Sequence, residues 1–198
     1  MNKIIFLAFL IVMAVACNNS ATNKNKLQAD GPTTYIKQGD SIVKITFDTL
    51  RNTLQKTIAD KGFSGAVTFC NVQALPITAL HASGEITVSR ISDKNRNPKN
   101  SLAEMDKIEW AKYMEKLANK DSLYSTVVYK NNEVHYYKPI IMQPMCLSCH
   151  GTPEKEIAKE LLPIIDALYP SDAAKGYKAG DLRGMWHIVF IKPMADKK

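Results

Sequence analysis

The residues with the most specific chemistry lie in the stretch PIIMQPMCLSCHGTPEK, where Cys146 and Cys149 are three positions apart and His150 follows directly. In this C-x-x-C-H spacing, two thiols can reach the two vinyl groups of a haem while the histidine approaches the iron from one face. The pattern predicts one covalently bound haem c, attached through Cys146 and Cys149, with His150 as an axial ligand of the iron.

Two other sites use the same residue types. A structural zinc site needs four ligands, and because a second C-x-x-C pair is missing, Cys70 and His150 would have to complete it. A redox-active disulfide of the thioredoxin type normally follows a strand and opens a helix, whereas Pro144 and Pro153 indicate a loop here. Haem attachment is the interpretation that also agrees with the start of the chain.

The first residues are typical of a secretory signal peptide, with Lys3, an apolar segment over residues 4–15 and small residues before Cys17. This apolar segment is short for a membrane span. A cysteine at this point resembles a bacterial lipoprotein signal, although Ala14 stands where such signals more often carry leucine. We therefore expect residues 1–16 to be removed, Cys17 to carry lipid, and the protein to be periplasmic and anchored to a bacterial membrane.

The composition divides the rest of the chain into a polar tether, residues 17–39, and one domain, residues 40–198. The tether is rich in Asn, Thr, Gly and Pro, which is typical of a flexible linker. The net charge is +7, and removal of Lys3 with the signal leaves about +6. Because the lysines are scattered, the charge suits acidic partners or anionic lipid, and we expect no nucleic-acid binding.

The hydrophobic pattern predicts an α+β domain with helices flanking a small antiparallel sheet. Helices are expected from Asp40 to Gly62, from Ser64 to Ile77 with Cys70 on the buried face, and from Ala103 to Ala118. Another should begin at Pro153 and kink at Pro163. The strands are EITVSRIS, the two halves of a hairpin in LYSTVVYKNNEVHYYKP, and MWHIVFI.

Four stretches in this order, VTFCNVQA, RISDKNRNPKN, YKPIIMQPMCLSCHG and YPSDAAKGYKAGDLRG, resemble the Tll0287-like haem domain family over roughly residues 40–193. The resemblance implies a PAS-like fold that holds one c-type haem. It also implies that the histidine of the attachment motif and a cysteine from an early helix both bind the iron. Those positions correspond to His150 and Cys70.

The second axial ligand can also be considered from the residues alone. Cys70 is the one thiol left over if Cys17 is acylated and the other two cysteines hold haem, although burial by itself would explain it. Cys70 and His81 would lie about 16 Å apart on a continuous helix, so only one of them can serve. We favour Cys70, with His81 and His187 as alternatives. His135 is expected to be exposed, and Met142 and Met145 are too near the motif.

Three arginines, Arg90, Arg96 and Arg183, are candidates to bind the haem propionates, because a guanidinium matches a carboxylate in a bidentate fork. Each could instead be a solvated loop cation. A thiolate ligand from Cys70 would donate electron density to the iron and favour a low reduction potential.

With both axial positions of the iron filled by the protein, substrate binding at the iron is disfavoured, so we expect that the protein is not an enzyme. The first hypothesis is a membrane-tethered monohaem cytochrome that exchanges electrons with a redox partner protein outside the cytoplasmic membrane. The alternative is a redox or gas sensor in which the cysteine bond breaks and the signal passes to a separate partner. A zinc-binding or structural lipoprotein remains as a third hypothesis if the motif is accidental.

Overall fold

The computed structural model describes residues 31–192. The predicted signal peptide, Cys17 and the tether up to residue 30 lie outside this range, as do residues 193–198. Within the described part of the chain, no helix is both long enough and apolar enough to cross a membrane.

Within residues 31–192 the fold is α+β, with four α-helices and four strands. The elements are α1 (Pro32–Thr78), β1 (Ile86–Ile91), α2 (Glu104–Ala118), β2 (Thr126–Lys130), β3 (Glu133–Ile141), α3 (Leu147–His150), α4 (Leu162–Leu168) and β4 (Leu182–Ile191). All neighbouring strands pair antiparallel, in the order β1-β4-β3-β2. The predicted fold class and the predicted hairpin at Asn131 are confirmed.

Helices cover both faces of the sheet, because successive strand residues point to opposite sides. On one face, Tyr35 and Val43 of α1 pack against Tyr136, Trp186 and Ile188. On the other face, Tyr113 of α2 packs against a cluster formed by Ile91, Tyr137, Leu182 and Met185. The two faces of the sheet are therefore covered by different helices.

α1 begins at Pro32 and not at Asp40, so the end of the predicted tether is helical. Pro32 favours a first helical turn, and Tyr35 is buried against the sheet. Gly39 lets the backbone approach the Tyr136 ring, since a Cβ at this position would overlap it. The expected break at Gly62 is present, with φ of 66° and ψ of −175°, and the helix resumes beyond it.

Three further expectations are wrong. Pro153 does not begin a helix: Thr152 O accepts the backbone N–H groups of residues 155–157 in a turn, and helical structure starts at Lys159. Pro163 consequently lies in the first turn of α4, where its missing N–H costs nothing, and produces no kink. His135, predicted to be exposed, is only 4% exposed because α2 covers its face of the sheet.

Candidate functional site

The C-x-x-C-H motif forms one compact turn of chain. Pro144–Cys146 is a 3-10 turn that leads directly into α3. Cys146 packs against Met142, Ala174 and Tyr177, and Cys149 packs against the cluster that contains Val67 of α1 and Ile165 of α4. Both thiols are free and half-buried. The two cysteines are thus held in place by separate apolar clusters.

His150 is oriented by one backbone carbonyl. Its Nδ1 lies 2.9 Å from Ala174 O, so Nδ1–H donates this hydrogen bond and Nε2 carries the free lone pair. Burial lowers the pKa of His150 well below its ordinary value, and the positive charges of Arg183 and Arg96 lower it further. The imidazole is therefore neutral near pH 7, which is the form that binds a metal.

Cys70 reaches the same region from the C-terminal half of α1. One residue further on, Asn71 Nδ2 donates to Leu168 O at 3.0 Å and ties α1 to α4. A thiolate at Cys70 would raise the pKa of Cys149 and of Arg90, so the thiol lies within electrostatic range of the C-x-x-C-H motif. Burial raises the pKa of the Cys70 thiol, while Arg90 and Arg96 oppose that rise.

Arg90 lies along the face of α1 that carries Cys70. Its Nε donates to Thr78 Oγ1 at 3.0 Å and its Nη2 to Ala74 O at 3.4 Å, with the guanidinium over the Trp186 ring. Burial lowers the pKa of Arg90 to about 10. Among the described residues, Nη1 of Arg90 makes no hydrogen bond. The guanidinium is therefore a buried cation whose Nη1 is still available as a donor.

Arg183 is presented to the site by a β-bulge. The β3–β4 register shifts between Ile140, paired with Gly184, and Ile141, paired with Leu182, which leaves Arg183 as the extra residue. Its Nη1 donates to Ser92 Oγ at 3.1 Å and to Lys94 O at 3.2 Å. The guanidinium also lies against Tyr177, 5.4 Å from the ring centre, and Nε and Nη2 are the nitrogens through which it could bind an anion.

Arg96 uses its Nε and Nη2 donors for hydrogen bonds within the protein. Its Nη2 donates to Cys149 O at 2.6 Å, and its Nε donates to Asp172 Oδ1 at 3.2 Å. The same Asp172 Oδ1 accepts the backbone N–H of Ala174 at 2.8 Å. Arg96 therefore braces both the attachment motif and the loop that orients His150, and a propionate contact would have to use its remaining nitrogen.

The sequence did not reveal Asp172 or Ala174 as parts of the site. Both lie in the stretch YPSDAAKGYKAGDLRG, which carried part of the resemblance but had no assigned chemistry. The sequence shows only an aspartate in a turn-rich segment. Its burial and its arginine partner, which is distant in the chain, become visible in the structure.

The other candidate ligands lie elsewhere. His81 is exposed after the end of α1, and Met145 is 53% exposed. His187 lies on the α2 face of the sheet with its Nε2 3.0 Å from His135 Nδ1. Within the described residues, no group of three or more His, Cys, Asp or Glu side chains is arranged to hold a metal ion. The structure brings together the following predicted residues: Cys70, Arg90, Arg96, Cys146, Cys149, His150 and Arg183.

Fold and site together define an α+β domain in which a C-x-x-C-H turn faces a cysteine on a long N-terminal helix. A family model described as Tll0287-like matches residues 23–190, so the chain belongs to the Tll0287-like family. This confirms the resemblance stated from the four sequence stretches.

A solved structure has the same fold. It is the crystal structure of the cyanobacterial haem-protein Tll0287, which is 24% identical to this chain with a TM-score of 0.56. The match covers 85% of this chain and 100% of that one. No curated protein matches the sequence.

Proposed function

We propose that this protein binds one c-type haem covalently through Cys146 and Cys149 and exchanges electrons outside the cytoplasmic membrane, tethered through lipid on Cys17. Membership of the Tll0287-like family supports haem binding, and the relative with the same fold is named as a haem protein. Export and lipidation are proposed from the sequence alone.

The orientation of His150 is the observation that most directly supports haem binding at this site. A haem ligand must present a neutral ring nitrogen while its second nitrogen is fixed by a hydrogen bond, and Nδ1–H of His150 donates to Ala174 O at 2.9 Å. Cys146 and Cys149, one turn away, supply the thiols for attachment. A haem bound here would supply one-electron redox chemistry at its iron.

Cys70 is the proposed second axial ligand. Burial raises the pKa of its thiol, while the positive charges of Arg90 and Arg96 oppose that rise and so support the thiolate form that would bind iron. If His150 and Cys70 both held the iron, the protein would leave no open coordination position. We therefore propose an electron carrier and not an enzyme.

Arg90 and Arg183 are the proposed propionate ligands. Both are bound to the protein through some of their N–H groups, so the guanidinium is held in place while other donors stay available. Their charge would neutralise two carboxylates in a partly buried site, where unpaired anions are costly.

The test is maturation of the full-length protein in bacteria that carry a cytochrome c maturation system. We expect haem to remain on the polypeptide in a denaturing gel and the mass to rise by one haem. Cys146→Ala/Cys149→Ala should lose the covalent haem, while Met145→Ala, an exposed change within the same motif, should keep it. Absence of covalent haem from the unaltered protein would refute the proposal.

A sensor is the second candidate, and one feature of α1 favours it. The helix carries Cys70 in its C-terminal half, while its N-terminal half packs on the sheet through Tyr35 and Val43, with the break at Gly62 between them. If Cys70 held the iron, its release would remove one of the contacts that fix the C-terminal half, leaving those of Val67, Asn71 and Arg90 to limit movement about that break. Carbon monoxide added to the reduced protein separates the two candidates: an unchanged spectrum supports a carrier, and a large shift supports a sensor.

A further inference from the structure

Four polar side chains form a chain on the α2 face of the sheet, on the side that the proposed haem site does not use. It runs from Glu133 through His135 and His187 to Asp106. The side chain of Glu133 is 43% exposed, whereas those of His135 and Asp106 are 5% and 3% exposed. The chain therefore leads from solvent into the protein.

The three contacts in this chain differ in length. Glu133 Oε2 lies 3.1 Å from His135 Nε2, and His135 Nδ1 lies 3.0 Å from His187 Nε2. His187 Nδ1 lies 3.7 Å from Asp106 Oδ1. The first two distances are those of hydrogen bonds, and the third is too long for one.

Counting protons explains the difference. Each contact needs one proton, because carboxylate oxygens and the lone-pair nitrogen of imidazole can only accept. Two neutral imidazoles carry two protons between them for three contacts. The short distances assign both: His135 Nε2–H donates to Glu133, and His187 Nε2–H donates to His135 Nδ1. His187 Nδ1 is left with a lone pair that faces the Asp106 carboxylate.

Asp106 is held in position by other donors. Its Oδ1 accepts from Tyr137 Oη at 2.8 Å, and its Oδ2 accepts from the backbone N–H of Ala103, just before α2, at 2.9 Å. The Tyr137 ring also stacks on His187 with ring centres 4.6 Å apart. The Asp106 carboxylate and the basic Nδ1 of His187 are therefore both held in position, and the proton assignment puts no proton between them.

We propose that His187 Nδ1 and Asp106 form a buried binding site for one proton, which fills on acidification and completes a hydrogen-bonded line from Glu133 to the start of α2. A proton from solvent adds to Nδ1, so the net charge of the four groups rises by one.

The surrounding charges favour a cation at this position. Asp106 faces it from α2, and Glu133, His135 and Tyr137 come from β3. Lys130 of β2 lies opposite Glu133 in the strand register at the exposed end, and Ser89 of β1 donates a hydrogen bond to the backbone oxygen of His187. Burial opposes these acids and lowers the pKa of His187 to about 4, so the site is empty at neutral pH.

Nitrogen NMR of the full-length, matured and histidine-labelled protein tests the proposal, because imidazole nitrogen shifts report which nitrogen carries a proton. The chain has four histidines, and single substitutions by glutamine assign them. We expect His187 Nδ1 to lack a proton at pH 7 and to gain one well below pH ~6.5, the ordinary histidine value. A proton on Nδ1 at pH 7, or uptake at the ordinary value, would overturn the proposal. The signals are read whether or not haem is bound, so the result is independent of the proposed function.

Two variants should move proton uptake in opposite directions. Asp106→Asn removes the negative charge and should shift uptake to lower pH. Tyr137→Phe keeps the ring but frees Asp106 Oδ1 from its donor, and should shift uptake to higher pH. His81→Gln, an exposed change, should leave the His135 and His187 signals unchanged. If neither variant shifts the uptake, the assignment to this pair is wrong; Tyr137→Phe and the unaltered protein decide if Asp106→Asn does not fold.

Discussion

Arg96 and Asp172 form a buried ion pair, with Nη2 3.2 Å from Oδ2 and side chains that are 11% and 1% exposed. Arg96 Nη2 also donates to Cys149 O, and Asp172 Oδ1 accepts from Ala174 N. The pair therefore joins the attachment motif to the loop whose carbonyl orients His150. Asp172 Oδ2 accepts no hydrogen bond within the described residues and depends on the charges of Arg96 and of Lys175, whose Nζ lies 3.8 Å away.

Arg96→Leu should destabilise the protein strongly, because Asp172 would keep a buried charge without its main partner. Breaking a buried pair from one side costs about 3–5 kcal/mol in the free energy of unfolding. Urea denaturation at pH 7 measures this cost. Lys107→Leu, which breaks the exposed pair with Glu104, is the matched control and should cause no measurable change.

The double variant Arg96→Leu/Asp172→Leu should recover part of the lost stability, because it removes the uncompensated charge along with the pair. A single Arg96→Leu variant as stable as the Lys107→Leu control would show that this pair does not hold the two loops.

Cys70→Ala tests the proposed second axial ligand in the matured protein. If Cys70 holds the iron, its removal would withdraw electron density and open a coordination position, so the reduction potential should rise and carbon monoxide should bind. A redox titration and the visible spectrum measure both effects. Met145→Ala should change neither, because that side chain is 53% exposed. An unaltered spectrum and potential in Cys70→Ala would exclude Cys70 as the ligand.

Gly39→Ala tests how α1 sits on the sheet. A Cβ at this position would overlap the Tyr136 ring, whose hydroxyl is fixed by a 2.8 Å hydrogen bond to Asp40. Crowding of this kind costs about 1–3 kcal/mol in unfolding free energy. Gly84→Ala is the control, since no atom lies within 4 Å of a Cβ there. Equal denaturation midpoints for the two variants would contradict this packing.

The strands and α2 were predictable because their signals are local. Alternating residues defined all four strands, and a helical stripe defined Glu104–Ala118. The start of α1 was missed because residues 32–39 are mostly polar, and only Tyr35 and Gly39 pack against the sheet. The predicted helix start at Pro153 was wrong because residues 155–157 form a turn around one carbonyl, Thr152 O. Sequence patterns do not reveal such a turn.

The site divides in the same way. The C-x-x-C-H motif is recognisable from its spacing, and Cys70 was a candidate because of the family resemblance and the leftover thiol; their roles toward a haem stay predictions. The Arg96–Asp172 pair joins loops 76 residues apart in the chain, and no local pattern encodes that contact. The pairing of His135 with His187 depends on the β3–β4 register, in which Tyr137 lies opposite His187. An error of one residue in that register would have placed the two rings on opposite faces.

The buried His187 predicts how stability depends on pH. Burial lowers its pKa to about 4, whereas an unfolded chain has the ordinary histidine value of ~6.5. Between these values the unfolded state binds more protons than the folded state, so the free energy of unfolding falls as pH falls from ~6.5 to ~4. The loss from this residue is at most about 3 kcal/mol. Urea denaturation at several pH values should show this slope in the unaltered protein and a weaker one in His187→Gln, while His81→Gln should keep the full slope. Equal slopes in all three proteins would show that His187 does not stay neutral in the folded state.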